Sequence, residues 1–269
     1  MSTARTLLCL THALILCLPP AVLAQTPLVH AHAHNDYEHK RPLLDATAQG
    51  FCSVEADIYL VDGQLLVAHE RKDVKPDRTL QSLYLDPLRA MVKENRGHVY
   101  AKPSEFTLLV DIKTDGEQTY QVLKGVLKQY ADIFTEFNGA KVKRKAITAI
   151  ISGERPMKSL PAETVRYAAL DGHLDEMDSG MTPALMPWIS HNWRAVFTWR
   201  GTGEIDPTEK KKLRELVEAA HKKGYKVRFW GTPDNIGMWR EERAAGVDLL
   251  NTDDLEGCAR FLQGEKKKQ

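Results

Sequence analysis

Short runs of apolar and β-branched residues alternate with amphipathic stretches along most of the chain. Eight of these runs have the length and composition of buried strands. They cover residues 28–33, 53–60, 106–113, 147–153, 165–172, 195–200, 226–231 and 247–252. Between them, residues 117–134 and 207–224 repeat apolar side chains at helical spacing, and the second stretch has proline in its first turn and glycine at its end.

This alternation predicts an α/β fold, a (β/α)8 TIM barrel that forms a single domain. A doubly wound open sheet is the main alternative, but no GxGxxG motif follows the first strand. The helical patterns after the fourth and fifth strands are weak, so we expect irregular units there. Because no Gly/Ser/Pro-rich linker divides residues 25–269, we expect them to fold together.

Residues 1–24 have the features of a signal peptide. Arg5 precedes the apolar run LLCLTHALILCLPP, and AVLA ends in the small-residue pattern of a cleavage site. An uncleaved membrane anchor is the alternative. We therefore expect export to a periplasm or the medium, with no transmembrane segment in the remaining chain.

Charge and cysteine content exclude several classes of protein. The full chain of 269 residues has a net charge of +1, and without Arg5 the 37 Lys+Arg become 36, against 36 Asp+Glu. This balance argues against a nucleic-acid partner. Of four cysteines, Cys52 and Cys258 lie outside residues 1–24, too few for a disulfide scaffold or a thiolate cluster. A Cys52–Cys258 disulfide and two buried thiols both remain open, and the sequence does not indicate an oligomeric state.

Carboxylates on two apolar strands indicate a metal site. Glu55 and Asp57 alternate onto one face of the second strand, and Asp111 closes the third. Such acids repel one another and lose hydration unless a cation or hydrogen-bond donors compensate. Three oxygen ligands favour Mg²⁺ or Ca²⁺. Pairing with arginine or backbone donors is the alternative.

Two histidines are candidates for acid–base catalysis. His34 follows the first strand, and the turn at 62–63 predicts a hairpin that returns His69 to the same rim. Two histidines can remove a proton from the attacking oxygen of a phosphodiester and give one to the leaving oxygen. Lys113 would stabilise charge on the phosphate oxygens.

The segment SVEADIYLVDGQLLVAHE (53–70), with a histidine upstream, resembles the signature of glycerophosphodiester phosphodiesterases. The DIK element at 111–113 and residues 227–255 are similar to later parts of that family's pattern. The resemblance implies a phosphatidylinositol phospholipase C-like barrel with phosphodiesterase activity and one divalent cation. A small-molecule phosphodiester or phospholipid-derived compound would be the substrate.

The chain departs from that pattern near its start. It has H-N-D where the family has H-R-G, and Pro42 is followed by Leu43 rather than by a ligand glutamate. The ligand set Glu55, Asp57 and Asp111 with Lys113 is more similar to the sphingomyelinase D branch, which implies that a cyclic phosphate could be released.

The remaining candidates are less specific. His30, His32 and His34 alternate onto one face of the first strand, with His32 expected one layer below the site. Arg228 and Trp230 share a face of the seventh strand and are predicted to offer substrate a cation and an apolar wall. A buried tryptophan with a paired arginine is the alternative.

Two other functions remain open. A zinc amidohydrolase-type barrel would use the H-x-H of the first strand with His173, His191 and Asp253. A non-catalytic barrel would bind a phosphorylated or sugar ligand. Neither requires Glu55, Asp57, His69 and Lys113 together, as a phosphodiesterase does.

Overall fold

A computed structural model of the protein describes residues 25–139 and 141–266. Twelve strands run through these residues. They are β1 (Leu28–Ala33), β2 (Phe51–Val61), β3 (Gln64–Val67), β4 (Phe106–Ile112), β5 (Glu136–Asn138), β6 (Lys141–Lys143), β7 (Ile147–Gly153), β8 (Val165–Arg166), β9 (Ala168–Gly172), β10 (Trp188–Asn192), β11 (Lys226–Trp230) and β12 (Leu249–Thr252).

The helices differ widely in length. The α-helices are α1 (Leu44–Ala48), α2 (Asp86–Glu94), α3 (Gly116–Gln129), α4 (Ser159–Ala162), α5 (Trp193–Val196), α6 (Pro207–Lys222), α7 (Ile236–Ala245) and α8 (Leu255–Lys266). Short 3-10 turns occur at Asp36–Glu38, Arg71–Asp73 and Leu174–Glu176, and a π-helical turn occurs at Gln81–Leu85. The helices after the fourth and fifth barrel strands, α4 and the turn at Leu174–Glu176, are short, as the weak pattern indicated.

Eight parallel strands close into a barrel in the order β1, β2, β4, β7, β9, β10, β11, β12. Closure is complete because β1 pairs with β12 on one side and with β2 on the other. The hairpin strand β3 pairs antiparallel with the outer end of β2. The predicted TIM barrel in a single domain is therefore confirmed.

The sixth barrel strand is not where the sequence pattern put it. Residues 195–200 were predicted as a strand, but the barrel uses β10, and the chain then turns into α5. The apolar residues that mimic a strand belong to an aromatic cluster, in which the Trp193 and Phe197 ring centroids lie 4.4 Å apart and Phe229 packs on both. The strand itself was hidden because it carries the polar residues Ser190 and His191.

The barrel interior changes from apolar to polar along the strands. Its lower part is a separate core of Leu109, Ile150, Trp188 and Leu249. Two residues further along the same strands lie Asp111, Ser152, Ser190 and Asn251. Active sites of such barrels lie at the carboxyl ends of the strands, so the polar layer has the position expected of a site. Over the described residues, the helices are all too short or too polar to span a bilayer.

Candidate active site

Three carboxylates lie side by side on neighbouring strands. Glu55 and Asp57 are both on β2, and the parallel register places Asp57 directly beside Asp111 of β4. One oxygen atom of each of the three side chains lies within 4.8 Å of the others. Glu55 and Asp57 are buried, and Asp111 is partly exposed towards the cavity. The structure thus brings the three predicted ligands together.

Two cations contact this acidic layer. Lys113 Nζ lies 3.0 Å from Asp57 Oδ2 and 2.9 Å from Asp111 Oδ1. The Arg228 guanidinium lies 3.0 Å from Glu55 Oε2 and 3.5 Å from a fourth buried acid, Asp171. Because Arg228 is only 4 % exposed, its charge is directed into the barrel rather than towards solvent.

Burial and mutual repulsion act on the pKa values of these acids. Burial raises the pKa of Asp57 to about 7, with the charges of Glu55 and Asp111 adding to the effect. Burial also raises the pKa of Asp111, although Lys113 opposes this. Burial alone would raise the pKa of Glu55 too, but the hydrogen bond from His32 and the charge of Arg228 outweigh it and hold that pKa well below its usual range.

The residues of this layer fit a divalent cation. Asp57 Oδ1 is buried and has no hydrogen-bond partner among the described residues, a costly arrangement that a metal ion would relieve. The separation of at most 4.8 Å between ligand oxygens is about twice a typical calcium–oxygen distance of ~2.4 Å. When the four acids (Glu55, Asp57, Asp111, Asp171) are all ionised, the two cations (Lys113, Arg228) leave two negative charges, which one divalent ion balances.

Gly153, the last residue of β7, makes room for Asp111. Its φ is +69°, and a Cβ atom there would lie 2.5 Å from the Ile112 carbonyl oxygen and still closer to Asp111 Oδ1.

We expect Gly153→Ala to lower the free energy of unfolding by about 1–3 kcal/mol and to weaken metal binding, because both the backbone and Asp111 must shift. Thermal denaturation with and without metal measures both effects. Gly125→Ala, where a Cβ meets nothing within 4 Å, is the control, and equal behaviour of the two variants would contradict this reading.

His34 is oriented by an acid at the opposite end of the sequence. Its Nδ1 lies 2.8 Å from Asp253 Oδ1, and since a carboxylate can only accept, Nδ1 donates and Nε2 remains for other contacts. Burial alone would lower the pKa of His34. The hydrogen bond to Asp253 and the nearby charge of Glu55 raise this pKa by more than burial lowers it, so the net shift is upward. The site therefore favours a protonated His34.

His69 is oriented by a hydroxyl group. The Tyr37 oxygen lies 2.7 Å from Asp57 Oδ2 and 2.9 Å from His69 Nδ1, and the hydroxyl has one proton to donate. The carboxylate is the stronger acceptor, so Tyr37 donates to Asp57 and accepts from His69 Nδ1–H. Asn35 Oδ1 also lies 2.7 Å from the hydroxyl. Because the single hydroxyl proton goes to Asp57, this contact is a hydrogen bond only with the Asn35 amide turned so that its NH2 group donates to Tyr37. His69 then carries a lone pair on Nε2.

The loop that carries Tyr37 is fixed by a buried acid. Asp36 Oδ2 accepts from the backbone N–H of Leu43 at 2.5 Å and from the Tyr84 hydroxyl at 2.9 Å. Leu43 adopts φ 65° and ψ −48°, and the N–H of Leu44 bonds the carbonyl of Pro42 across it, which is a γ-turn. The segment that departs from H-R-G and lacks a ligand glutamate is thus a defined structure of its own.

These groups surround a cavity of about 280 Å³ at the carboxyl ends of the strands. The predicted site residues in its wall are His34, Glu55, His69, Asp111, Lys113, Arg228 and Trp230. Asp57 lies beneath the wall, fully buried. Trp230 is 39 % exposed and can meet substrate, whereas the Arg228 guanidinium is already bonded to Glu55, Ser190 and Asn251.

Among the described residues, the histidines considered for a zinc site do not form a group of three ligands. His30 bonds the Asp248 carbonyl, and His32 is buried one layer below the site, as expected, with Ser53 and Glu55 as partners. Burial, followed by the charge of Arg228, lowers the pKa of His32 to about 4, so that it is neutral. Among the described residues, the group of three or more side chains able to hold a metal is the acid triad, which includes no histidine.

Sequence reasoning missed Tyr37, Asp171 and Gly153. Tyr37 lies in a loop, where no periodicity predicts the direction of a side chain. Asp171 could have been found, since it is one of two polar residues in the apolar run VRYAALDG and precedes a strand end. Asp253, which was considered as a zinc ligand and as a residue at the end of the eighth strand, is the partner of His34.

The fold is that of the glycerophosphodiester phosphodiesterases. A crystal structure of such an enzyme from Parabacteroides distasonis superposes with a TM-score of 0.50 at 14 % identity, covering 90 % of this chain and 99 % of the other. Residues 21–171 match the AIM6-like phosphodiesterase domain, and residues 226–256 match the glycerophosphoryl diester phosphodiesterase family. The chain belongs to the AIM6-like phosphodiesterase domain family.

Relatives in fungi match most of the chain. Altered inheritance of mitochondria protein 6 of Eremothecium gossypii is 30 % identical over 271 residues, 87 % of this chain and 69 % of the relative. A homolog of that protein in Arthroderma benhamiae is 29 % identical over 264 residues, 87 % of this chain and 84 % of the relative.

These relatives correct the predicted location. Export was inferred from residues 1–24, which lie outside the described residues. The matching relatives are named for the inheritance of mitochondria, and the comparisons give no support for an exported protein. The prediction of export is therefore wrong.

Proposed function

We propose that this protein is a metal-dependent phosphodiesterase that cleaves a small-molecule or phospholipid-derived phosphodiester. The observation that carries the proposal is the joint placement of two histidines, three metal-binding acids and a lysine around one cavity. A structural ion-pair network would not need His34 and His69 at its rim, each with Nδ1 engaged and Nε2 left for another contact.

Glu55, Asp57 and Asp111 would hold one Mg²⁺ or Ca²⁺ ion, which supplies Lewis-acid stabilisation of charge on the phosphoryl oxygens. Arg228 and His32 position Glu55 for this role from below. Lys113 neutralises part of the acidic layer and offers its ammonium group to a phosphate oxygen.

His34 and His69 take different roles because their partners differ. Asp253 is a carboxylate that favours the charged imidazolium, so we assign His34 as the acid that gives a proton to the leaving oxygen. Tyr37 holds His69 through Nδ1–H, so we assign the Nε2 lone pair of His69 as the base that accepts a proton from the attacking oxygen. Trp230 supplies an apolar wall for the substrate.

Turnover of bis(p-nitrophenyl) phosphate and of glycerophosphodiesters tests the proposal. We expect turnover that EDTA abolishes and that Mg²⁺ or Ca²⁺ restores. Restoration by zinc alone, together with cleavage of amides, would instead support the amidohydrolase reading. Binding of a phosphodiester without turnover in metal-loaded protein would support the non-catalytic reading.

The pH profile tests the acid role of His34. As pH rises through its raised pKa, His34 loses the proton that the leaving oxygen needs, so kcat should fall on the alkaline side. Asp253→Asn removes the carboxylate that raises this pKa, while Glu55 and Arg228 still face the ring. We therefore expect the alkaline limb to move to lower pH. Asp254→Asn is the control, and an unmoved limb in Asp253→Asn would reject the assignment.

A further inference from the structure

A second cavity adjoins the reaction cavity. Its volume is about 250 Å³, and His69 lines both cavities. Tyr37, whose hydroxyl holds His69, lies in the wall of the second cavity, and the buried residues Val67 and Ala68 of the hairpin line it as well. His69, the proposed base, therefore lies between the two cavities. The phosphorus of a diester carries two ester arms, so a substrate bound at His69 can extend one arm into the second cavity.

The outer wall of the second cavity is a fixed loop. Lys75-Pro76-Asp77-Arg78 is a β-turn closed by a hydrogen bond from the Arg78 N–H to the Lys75 carbonyl, at 3.1 Å. The Arg78 carbonyl then accepts from the Val67 N–H at 2.7 Å, which ties the turn to β3. The Arg78 side chain donates to the Tyr37 carbonyl, also at 2.7 Å. Lys75 and Arg78 are thus held at the two ends of one turn.

Four ionised side chains line this space without pairing with one another. Glu38 and Asp73 are acids, Lys75 and Arg78 are cations, and all four belong to the cavity wall. The ion pairs recorded for the described residues join none of the four to each other or to another residue. The wall therefore offers two negative and two positive groups to a ligand.

We propose that the second cavity binds one ester arm of the substrate, and that this arm is an alcohol carrying both an ammonium and a carboxylate group, as serine does. This inference rests on the proposed phosphodiesterase function. An ammonium would meet Glu38 and Asp73, and a carboxylate would meet Lys75 and Arg78. Glu38, Asp73 and Lys75 are exposed and Arg78 is half-buried. An acyl chain in this cavity would cover hydrated charges without supplying partners for them, which is unfavourable. A neutral polyol would use none of their charge.

Kinetics with three substrates that differ only in this arm test the inference. They are glycerophosphoserine, glycerophosphoethanolamine and glycerophosphoglycerol. We expect the largest kcat/KM for the serine diester. Lys75→Gln should lower the serine-to-ethanolamine ratio of kcat/KM about three- to fivefold, because it removes a partner of the carboxylate alone. Asp73→Asn should lower the ethanolamine-to-glycerol ratio by a similar factor. Lys72→Gln, on the same loop but paired with Glu70, should change neither ratio.

Equal kcat/KM values for the three diesters, or ratios that Lys75→Gln leaves unchanged, would overturn the inference while leaving the proposed function standing. Silence on these diesters and on bis(p-nitrophenyl) phosphate would instead remove the proposed function. In that case calorimetric titration of glycerophosphoserine into His34→Ala and His34→Ala/Lys75→Gln protein still decides on the cavity. Tighter binding by His34→Ala than by His34→Ala/Lys75→Gln supports the inference, and equal or absent binding rejects it.

Discussion

Replacing His69 with alanine is expected to lower kcat for phosphodiester cleavage by about two to four orders of magnitude. The variant removes the base that accepts the proton of the attacking oxygen, whereas the acid layer and the cavity remain. Because the His69 side chain is 52 % exposed, its loss leaves little buried space and should not lower the melting temperature. Steady-state kinetics with bis(p-nitrophenyl) phosphate and thermal denaturation measure the two effects.

Chemical rescue and a matched variant make this test sharper. Added imidazole can enter the exposed space left in His69→Ala and should recover part of the activity. His39→Ala, which removes a histidine from the same rim outside both cavities, should keep the activity of the parent. Full activity of His69→Ala, or an equal loss in His39→Ala, contradicts the role assigned to His69.

Asp57→Asn is expected to abolish turnover and to stabilise the metal-free protein at the same time. Turnover should fall at least about a hundredfold, because a ligand to the ion is lost. The free energy of unfolding in EDTA should rise by about 1 kcal/mol, since the variant removes a buried acid that lies beside two others, buried Glu55 and partly exposed Asp111. The asparagine oxygen still accepts the Tyr37 hydrogen bond, so the orientation of His69 is kept.

The sign of the stability change separates a metal ligand from a structural acid. A structural Asp57, satisfied by Lys113 and Tyr37, would destabilise the protein when it is replaced. Chemical denaturation in EDTA and in excess Mg²⁺ or Ca²⁺ distinguishes these readings. We expect the metal ion to stabilise the parent protein but not the Asp57→Asn variant. Loss of stability in EDTA for Asp57→Asn would favour the structural role.

The parts of the site that follow strand alternation could be predicted from sequence. Glu55 and Asp57 had to share a face, and the hairpin had to return His69 to the rim, because both conclusions depend only on local geometry. The sixth barrel strand, β10, could not be predicted in this way. Its inward residue Ser190 is polar and bonded to Asp171, so the strand lacks the apolar run that marks its neighbours.

Loop geometry and partner choice could not be predicted. Tyr37 reaches His69 only because Asp36 holds the chain around the γ-turn at Leu43, a contact between residues with no periodic relation. Arg228 was expected to face substrate, and alternation does place it towards the barrel interior. In the structure its guanidinium lies in the acid layer, 3.0 Å from Glu55 and 3.5 Å from Asp171. Its proposed role is therefore to position Glu55.

Calorimetric titration of Mg²⁺ and Ca²⁺ into EDTA-treated protein tests the central claim most directly. We expect one ion to bind per chain in the parent and in Asp175→Asn, which alters an exposed acid outside the triad. Asp111→Asn should lose this binding, because it removes the ligand that β4 contributes beside Asp57. Absence of binding in the parent, or binding that Asp111→Asn leaves intact, would contradict the metal site and the phosphodiesterase mechanism built on it.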